Sequence, residues 1–338
     1  MKKPFVFVII LFSLIIVISV LNSVIFYDIK DENKKEDINN KIDTEDNVYD
    51  TVDEISPQIS VYDVDNKTVV NMKMEEYLYG VLSSEMPSTF DLEALKAQAV
   101  AARTYVIYKK QNNITSGHKN AVVCTNSAHC QAYTSYENLK KIKGKKWIDK
   151  DYKLIKKAVD ETKGQIVVYN NKPILPLYFS TSSGKTENSK DVFSTSYPYL
   201  VSVDSPYDTS SPKYETTFTI DKNNFIKIFK ESYSKANIKS DTLNEQIKII
   251  NRTEGGGVRT LQVGNIKLSG VKLRQIFNLN SANFTIKHSN DKVIFTVKGY
   301  GHGVGMSQWG AQGMAKSGYK YYDILSHYYK NTNIKDLY

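Results

Sequence analysis

Residues 74–105 read MEEYLYGVLSSEMPSTFDLEALKAQAVAARTY and hold a carboxylate, Glu85, where it could act as a general acid. Met74, Leu78, Val81 and Leu82 recur at the i, i+4, i+7, i+8 spacing of an amphipathic helix, and Glu85 prolongs that stripe. Pro87 forbids further helix and pushes Met86 toward extended backbone, so Glu85 belongs to the last turn. Backbone carbonyls at that end present negative charge, and partial burial also disfavours a carboxylate; both effects raise the pKa. A carboxyl that keeps its proton near neutral pH can deliver it to a leaving oxygen. The plainer reading is a helical hairpin with an inert, solvated carboxylate at its joint.

A second chemical cluster is His118-x5-Cys124-x4-His129-Cys130, which contains both cysteines of the chain. Two thiols and two imidazoles this close form a zinc-type donor set, although adjacent His129 and Cys130 make an awkward chelate. The same even pair of cysteines in an exported body could close a Cys124–Cys130 disulfide. The two histidines favour zinc. With all four positions filled the site would be closed, and its role structural rather than Lewis-acid catalysis.

Two loops could meet a ligand. Ser180, Ser182, Ser183 and Gly184 lie in STSSGKT, which lacks the spaced glycines of a phosphate loop. Its hydroxyls and free N–H groups suit sugar hydroxyls or an acetamido group, or simply a turn. Gly299–Gly305, reading GYGHGVG, sets His302 and Gly303 among glycines just before a helix bearing Gln308 and Trp309. Glycines allow close approach of backbone to a ligand, and a helix start offers free N–H donors. Trp309 could stack on a sugar face or fill the core.

These groups need a frame. Ser88 and Asp91 are spaced as a capping box, so a second helix is expected to begin near Ser88. Leu95, Ala99, Ala102 and Val106 form its buried stripe. Lys96, Gln98 and Arg103 fall on other faces and are candidate substrate contacts. Strands are expected at residues 59–64 and 68–72, then as hairpins at 165–169/174–180, 259–263/266–268 and 284–288/293–298, turning at Asn170-Asn171, Gly264-Asn265 and Asn290-Asp291. Helices are expected at 151–162, 223–233, 271–278, 307–316 and 322–329. Hairpins interspersed with helices predict an α+β fold. Residues 205–257, polar and weakly patterned, are assigned to a peripheral subdomain of a body spanning 55–338.

Before that body, residues 4–27 contain no charge and are long enough for one membrane-spanning helix, with Lys2 and Lys3 favouring a cytoplasmic N-terminus. Residues 28–54 hold eleven acidic residues against four lysines and read as a flexible tether. The chain's net charge is +9; with −7 in the tether and +2 at Lys2 and Lys3, residues 55–338 carry +14. A basic body on the outer side of a membrane suits an anionic wall polymer, and its compartment argues against nucleic acid.

The stretches EMPSTFDLEALKAQAVAARTY and GYGHGVGMSQWGAQGMA make the chain similar, from about residue 59 onward, to the stage II sporulation protein D family. The resemblance implies a peptidoglycan lytic transglycosylase acting in sporulation engulfment, with Glu85 as catalytic acid/base. It also implies glycan strands stripped of stem peptides as substrate. As partners it implies a sporulation amidase/endopeptidase and an associated membrane protein, with the body outside the mother-cell membrane and facing the forespore. The serine-rich loop resembles the family's substrate-lining loop, and members with this Cys/His insertion bind zinc near the active site. The rival functions are a zinc amidase built on residues 118–130 with His302, and a wall-binding scaffold that recruits an amidase.

Overall fold

The computed structural model describes residues 56–338 apart from 116, 119 and 194; the expected anchor and tether lie outside the described residues. Among the described residues no helix is long and apolar enough to cross a membrane. The body is α+β, with two hydrophobic cores.

The first core is built on two helices. Helix α1 (Met74–Glu85) buries Leu78, Val81 and Leu82 and ends where Met86 turns extended ahead of Pro87, which leaves Glu85 as its last residue. Helix α2 (Leu92–Gln111) buries Leu95, Ala99, Ala102 and Val106 as expected, but it starts later than residue 88. Phe90 drops into the core and closes a turn onto Pro87 O, so Asp91 itself becomes the cap, accepting from Glu93 N at 3.0 Å. Ser88 instead accepts from Trp147 Nε1 and donates to Asp151.

The expected polar faces of α2 do not exist. Neighbours enclose this alanine-rich helix, and its short side chains let them approach closely. Arg103 and Gln98 are fully buried, and Lys96 pairs with Glu161 and Glu93. Arg103 Nε bonds Glu75 Oε1 at 2.9 Å, Nη2 meets both Glu75 Oε2 and Val159 O, and Nη1 reaches Gln165 O. Beside this pair stands helix α4 (Lys153–Asp160), entered from helix α3 (Tyr136–Lys143) through a wide turn at Ile148–Tyr152.

Strands β1 (Gln58–Asp63) and β2 (Thr68–Lys73) pair as an antiparallel hairpin, and the short β3 (Val123–Cys124) joins β1 in parallel. Strand β4 (Gln165–Tyr169) and its Asn170-Asn171 turn form, with both asparagines left-handed, but the partner β5 (Lys172–Pro173) stops after two residues. The expected strand at 174–180 fails because Pro173 and Pro176 remove ladder donors and fix the backbone. The chain leaves to form β6 (Tyr178–Phe179), and the other edge of β4 is taken by the late strand β14 (Asn333–Asp336).

The second core comprises β7 (Glu215–Asp221), α5 (Lys222–Ser232), β8 (Ile247–Arg252), β9 (Val258–Val263), β10 (Ile266–Leu268), α6 (Gly270–Phe277), β11 (Phe284–Ser289) and β12 (Lys292–Lys298). Its sheets run β10-β9-β8 and β11-β12-β7, all antiparallel. The predicted hairpins at 264–265 and 290–291 form. The buried cluster extends from Phe225 to Val297, so residues 205–257 supply only part of it. The chain then returns to the first core through β13 (Met306–Ser307), which pairs in parallel with β6, and helices α7 (Gln308–Lys316) and α8 (Tyr321–Tyr328).

Replacing Arg103 with Leu strands the buried Glu75 carboxylate, and removing one partner of such a pair costs about 3–5 kcal/mol. Chemical denaturation of Arg103→Leu against wild type measures this loss, whereas a substrate-contact role would weaken binding with little change in stability.

Candidate active site

The end of α1 and the start of α7 converge on Glu85. Glu85 Oε1 accepts the Ala132 backbone N–H at 2.7 Å, and Gln308 Nε2 lies 3.4 Å from Oε2. Burial raises the Glu85 pKa, while the Ala132 N–H, the Gln308 amide and the Tyr178 hydroxyl each pull it back down. Desolvation outweighs the donors, so the proton is held more tightly than on a free glutamate.

Glu85 opens on a cleft of about 410 Å³ whose walls include Tyr105, Gln131, Tyr178, Tyr300, His302 and Gln308. Tyr178 sits on β6, which β13 holds next to α7, and its hydroxyl donates to Gln131 Oε1 at 2.9 Å. Burial keeps that phenol protonated, so it remains a donor. Among the described residues lining this cleft Glu85 is the one carboxylate. Asp91, the next acid along the chain, is spent on capping α2.

Of the residues singled out from sequence, the fold brings Glu85, Ser180, His302, Gln308 and Cys130 to this cleft. Lys96, Gln98 and Arg103 stay away from its walls, for the packing reasons given above. Ser183 and Gly303 face an adjoining cavity rather than Glu85. Ser182 is buried and gives its N–H to Asp208 Oδ1 at 2.7 Å, and Gly184 holds a left-handed turn, φ +107°, with its carbonyl taken by Ser205 N. Both support the loop from behind.

His302 is packed between Phe179 and Phe193, at 5.6 and 5.3 Å between ring centres. Burial, with the charge of Arg274 second, pushes its pKa down to about 4. The neutral ring accepts the Val304 N–H on Nδ1, which leaves its own proton on Nε2. Trp309 packs edge-on against Phe90 at 5.0 Å and belongs to the core.

Asp208 is a positioning group that the sequence did not reveal. It accepts from Ser182 N, Ser205 Oγ and Ser307 Oγ, thereby tying the serine-rich loop to the start of α7. Burial lifts its pKa to about 6. Tyr178, Gln131 and the Ala132 N–H were also missed. No motif marks them, although Tyr105 and Tyr300 lay within the two quoted stretches.

The Cys/His cluster adjoins the cleft. The ligand atoms of His118, Cys124 and His129 all lie within 4.8 Å of one another. Cys124 Sγ is 3.5 Å from Cys130 Sγ and 3.8 Å from His129 Nδ1, and Cys130 Sγ also meets Lys109 Nζ at 3.3 Å. Two sulfurs on one tetrahedral zinc stand about 3.8 Å apart, so the donor set and spacing could hold that ion. Both cysteines are free thiols in this arrangement. Two residues beyond Cys130, the same loop delivers the Ala132 N–H to Glu85.

Comparison with known proteins identifies the family. The family model described as "Stage II sporulation protein" matches residues 62–169. Stage II sporulation protein D of Bacillus subtilis (strain 168) is 41% identical over 278 residues, covering 82% of this chain and 79% of that protein. The protein of the same name from Bacillus amyloliquefaciens is 39% identical, over 85% and 81% of the two chains. A protein named "Amidase enhancer" from Bacillus subtilis (strain 168) is 29% identical over 76% of this chain but only 40% of its own length. Identity of this extent, over about four fifths of both chains, places the chain in the stage II sporulation protein D family.

Proposed function

We propose that this protein is a lytic transglycosylase that cuts peptidoglycan glycan strands during sporulation, with Glu85 as its general acid and then base. The observation that carries the reading is a cleft with one carboxylate whose proton is held tightly by burial. Hydrolytic glycosidases ordinarily need a second carboxylate, about 5–9.5 Å from the first, as nucleophile or base. A transglycosylase does not. Glu85 protonates the glycosidic oxygen as the C1–O bond breaks, and the C6 hydroxyl of the same muramic acid bonds to C1. That hydroxyl's proton returns to Glu85, and the strand ends in a 1,6-anhydro sugar with no water consumed. Gln308 and the Ala132 N–H keep the carboxyl aimed, and Tyr300, 44% exposed, offers a sugar a ring face.

In this reading zinc occupies His118, Cys124, His129 and Cys130 and supplies a cross-link in the loop that carries Gln131 and the Ala132 N–H. Residues 4–27 anchor the protein in the mother-cell membrane with the body facing the forespore. The preferred strands have already lost their stem peptides to a sporulation amidase/endopeptidase partner. The name of the amidase-enhancer relative favours a second reading, in which the protein stimulates an amidase without cutting glycan itself.

Product mass spectrometry on peptide-free strands separates the two. The expected outcome is 1,6-anhydro muramic ends from wild type and a loss of about a hundredfold or more in Glu85→Gln, which keeps the shape but has no proton to give. Reducing muramic ends would establish hydrolysis, and no glycan product alongside a stimulated amidase would establish the second reading.

The raised pKa of Glu85 also fixes the sign of a pH effect. Activity requires the protonated acid, so it falls as pH rises through that pKa. Gln308→Leu removes a donor that stabilises the carboxylate, so it is expected to move the alkaline limb of kcat to higher pH. A limb that stays put or moves down would dissociate Gln308 from Glu85.

Metal analysis of the purified body is expected to give about one zinc per chain, and chelation to lower both the melting temperature and kcat, with recovery on adding zinc. No zinc together with an intact mass two protons light would assign the pair to a disulfide.

A further inference from the structure

Most of the serine-rich loop is not used by the Glu85 cleft. Thr181, Ser183 and Lys185 line a second cavity, of about 40 Å³, where residues of the first core meet those of the second. Phe179, Gly301 and His302 line both spaces, so the two adjoin at these residues. Against this cavity lies Glu187, only 8% exposed. Its Oε1 accepts from Thr253 Oγ1 and Gly257 N, each at 2.9 Å. Its Oε2 is buried and has no partner. The backbone is fitted to this side chain, because a Cβ at Gly257 would stand 2.6 Å from Oε1 and one at Gly303 2.9 Å from Cγ.

An unpartnered buried carboxylate oxygen costs about 1–3 kcal/mol, more if charged. A donor arriving with a ligand would recover that cost. A water takes about 10–15 Å³ of such space, so the cavity holds three water-sized groups. That is too small for a pyranose ring and matches the carbonyl, amide nitrogen and methyl of an acetamido group. The wall supplies complementary partners: Phe179 offers an apolar face, and Ser183, which accepts from Asn283 Nδ2 at 2.9 Å, keeps its own hydroxyl proton to donate to a carbonyl.

We infer that this cavity is a subsite for the 2-acetamido group of a sugar in the strand held at Glu85, with its amide N–H donating to Glu187 Oε2. The inference rests on the glycan-strand reading above and adds to it the feature of the sugar that is read. Glu187 is thereby a specificity residue outside the chemistry. It selects N-acetylated amino sugars over plain hexoses by leaving a buried acceptor empty when the acetamido group is missing.

The test uses two uncharged β-1,4 hexasaccharides, chitohexaose and cellohexaose, which differ in the 2-acetamido group, with binding measured by calorimetry. Wild type is expected to prefer chitohexaose by about tenfold, the scale of one hydrogen bond to a charged group. In Glu187→Gln the amide oxygen takes the place of Oε1, where Thr253 and Gly257 both donate. Its NH2 then replaces Oε2 and faces the ligand N–H donor to donor. The preference is expected to fall below about threefold, with cellohexaose binding unmoved. Ala282→Leu narrows the same cavity without touching Glu187 and is expected to give the same loss. It keeps the test decisive if Glu187→Gln does not fold. Undiminished preference for chitohexaose in the folded variants would overturn the subsite and leave the cavity to water. Failure of wild type to bind either hexasaccharide or peptide-free strands would instead overturn the glycan reading itself.

Discussion

The buried ion pair between Glu75 and Arg103 is the constraint on which the geometry around Glu85 depends. Glu75 lies in the first turn of the helix that ends at Glu85, and Arg103 lies midway along the next helix. Neither can be removed from water without compensation, and four guanidinium N–H groups find acceptors here. Arg103 reaches the backbone of Val159 and Gln165, and Glu75 also receives the Gly164 N–H and the Tyr338 hydroxyl. One electrostatic necessity thus fastens the first two helices to α4, β4 and the C-terminal residue. It fixes the axis of α1, and Pro87 fixes where that axis stops.

At the other end of that helix the balance is set differently. Glu75 is saturated with donors and charge, whereas Glu85 has one short backbone donor, one long amide contact and a nearby phenol. Desolvation therefore wins at Glu85, and its carboxyl holds a proton more tightly than a free glutamate does. Asp208 is a third case. Its hydroxyl and amide donors hold two loops in register, yet burial still lifts its pKa to about 6. The same functional group serves as scaffold, acid and tether according to the donors around it.

The second core meets the serine-rich and glycine-rich loops rather than Glu85 itself. Its β8–β9 turn reaches Glu187 through Thr253 and Gly257, and Asn280 O takes the Gly301 N–H, so the glycine-rich loop is shared between the cores. Burial keeps His302 in that loop neutral, so it adds no charge to the cleft that holds Glu85.

Local rules in the sequence determined much of this protein. Apolar periodicity and Pro87 placed Glu85 at a helix end, and paired Asn and Gly residues marked the turns of the 259–268 and 284–298 hairpins, because these signals act over a few residues. Strand β7 was overlooked although Thr216, Phe218 and Ile220 alternate, since that face is only half-buried and its contrast is weak. Tertiary structure alone decided what surrounds α2. An alanine-rich helix with scattered polar residues reads as a surface helix, and only the approach of neighbours on every side made Arg103 and Gln98 interior. It also decided which residues meet Glu85. Gln131, Tyr178 and Gln308 are 46, 93 and 223 residues away from it in the chain. No local spacing encodes their convergence, because it follows from parallel pairing of β6 with β13 and from packing that closes only when both ends of the body are folded.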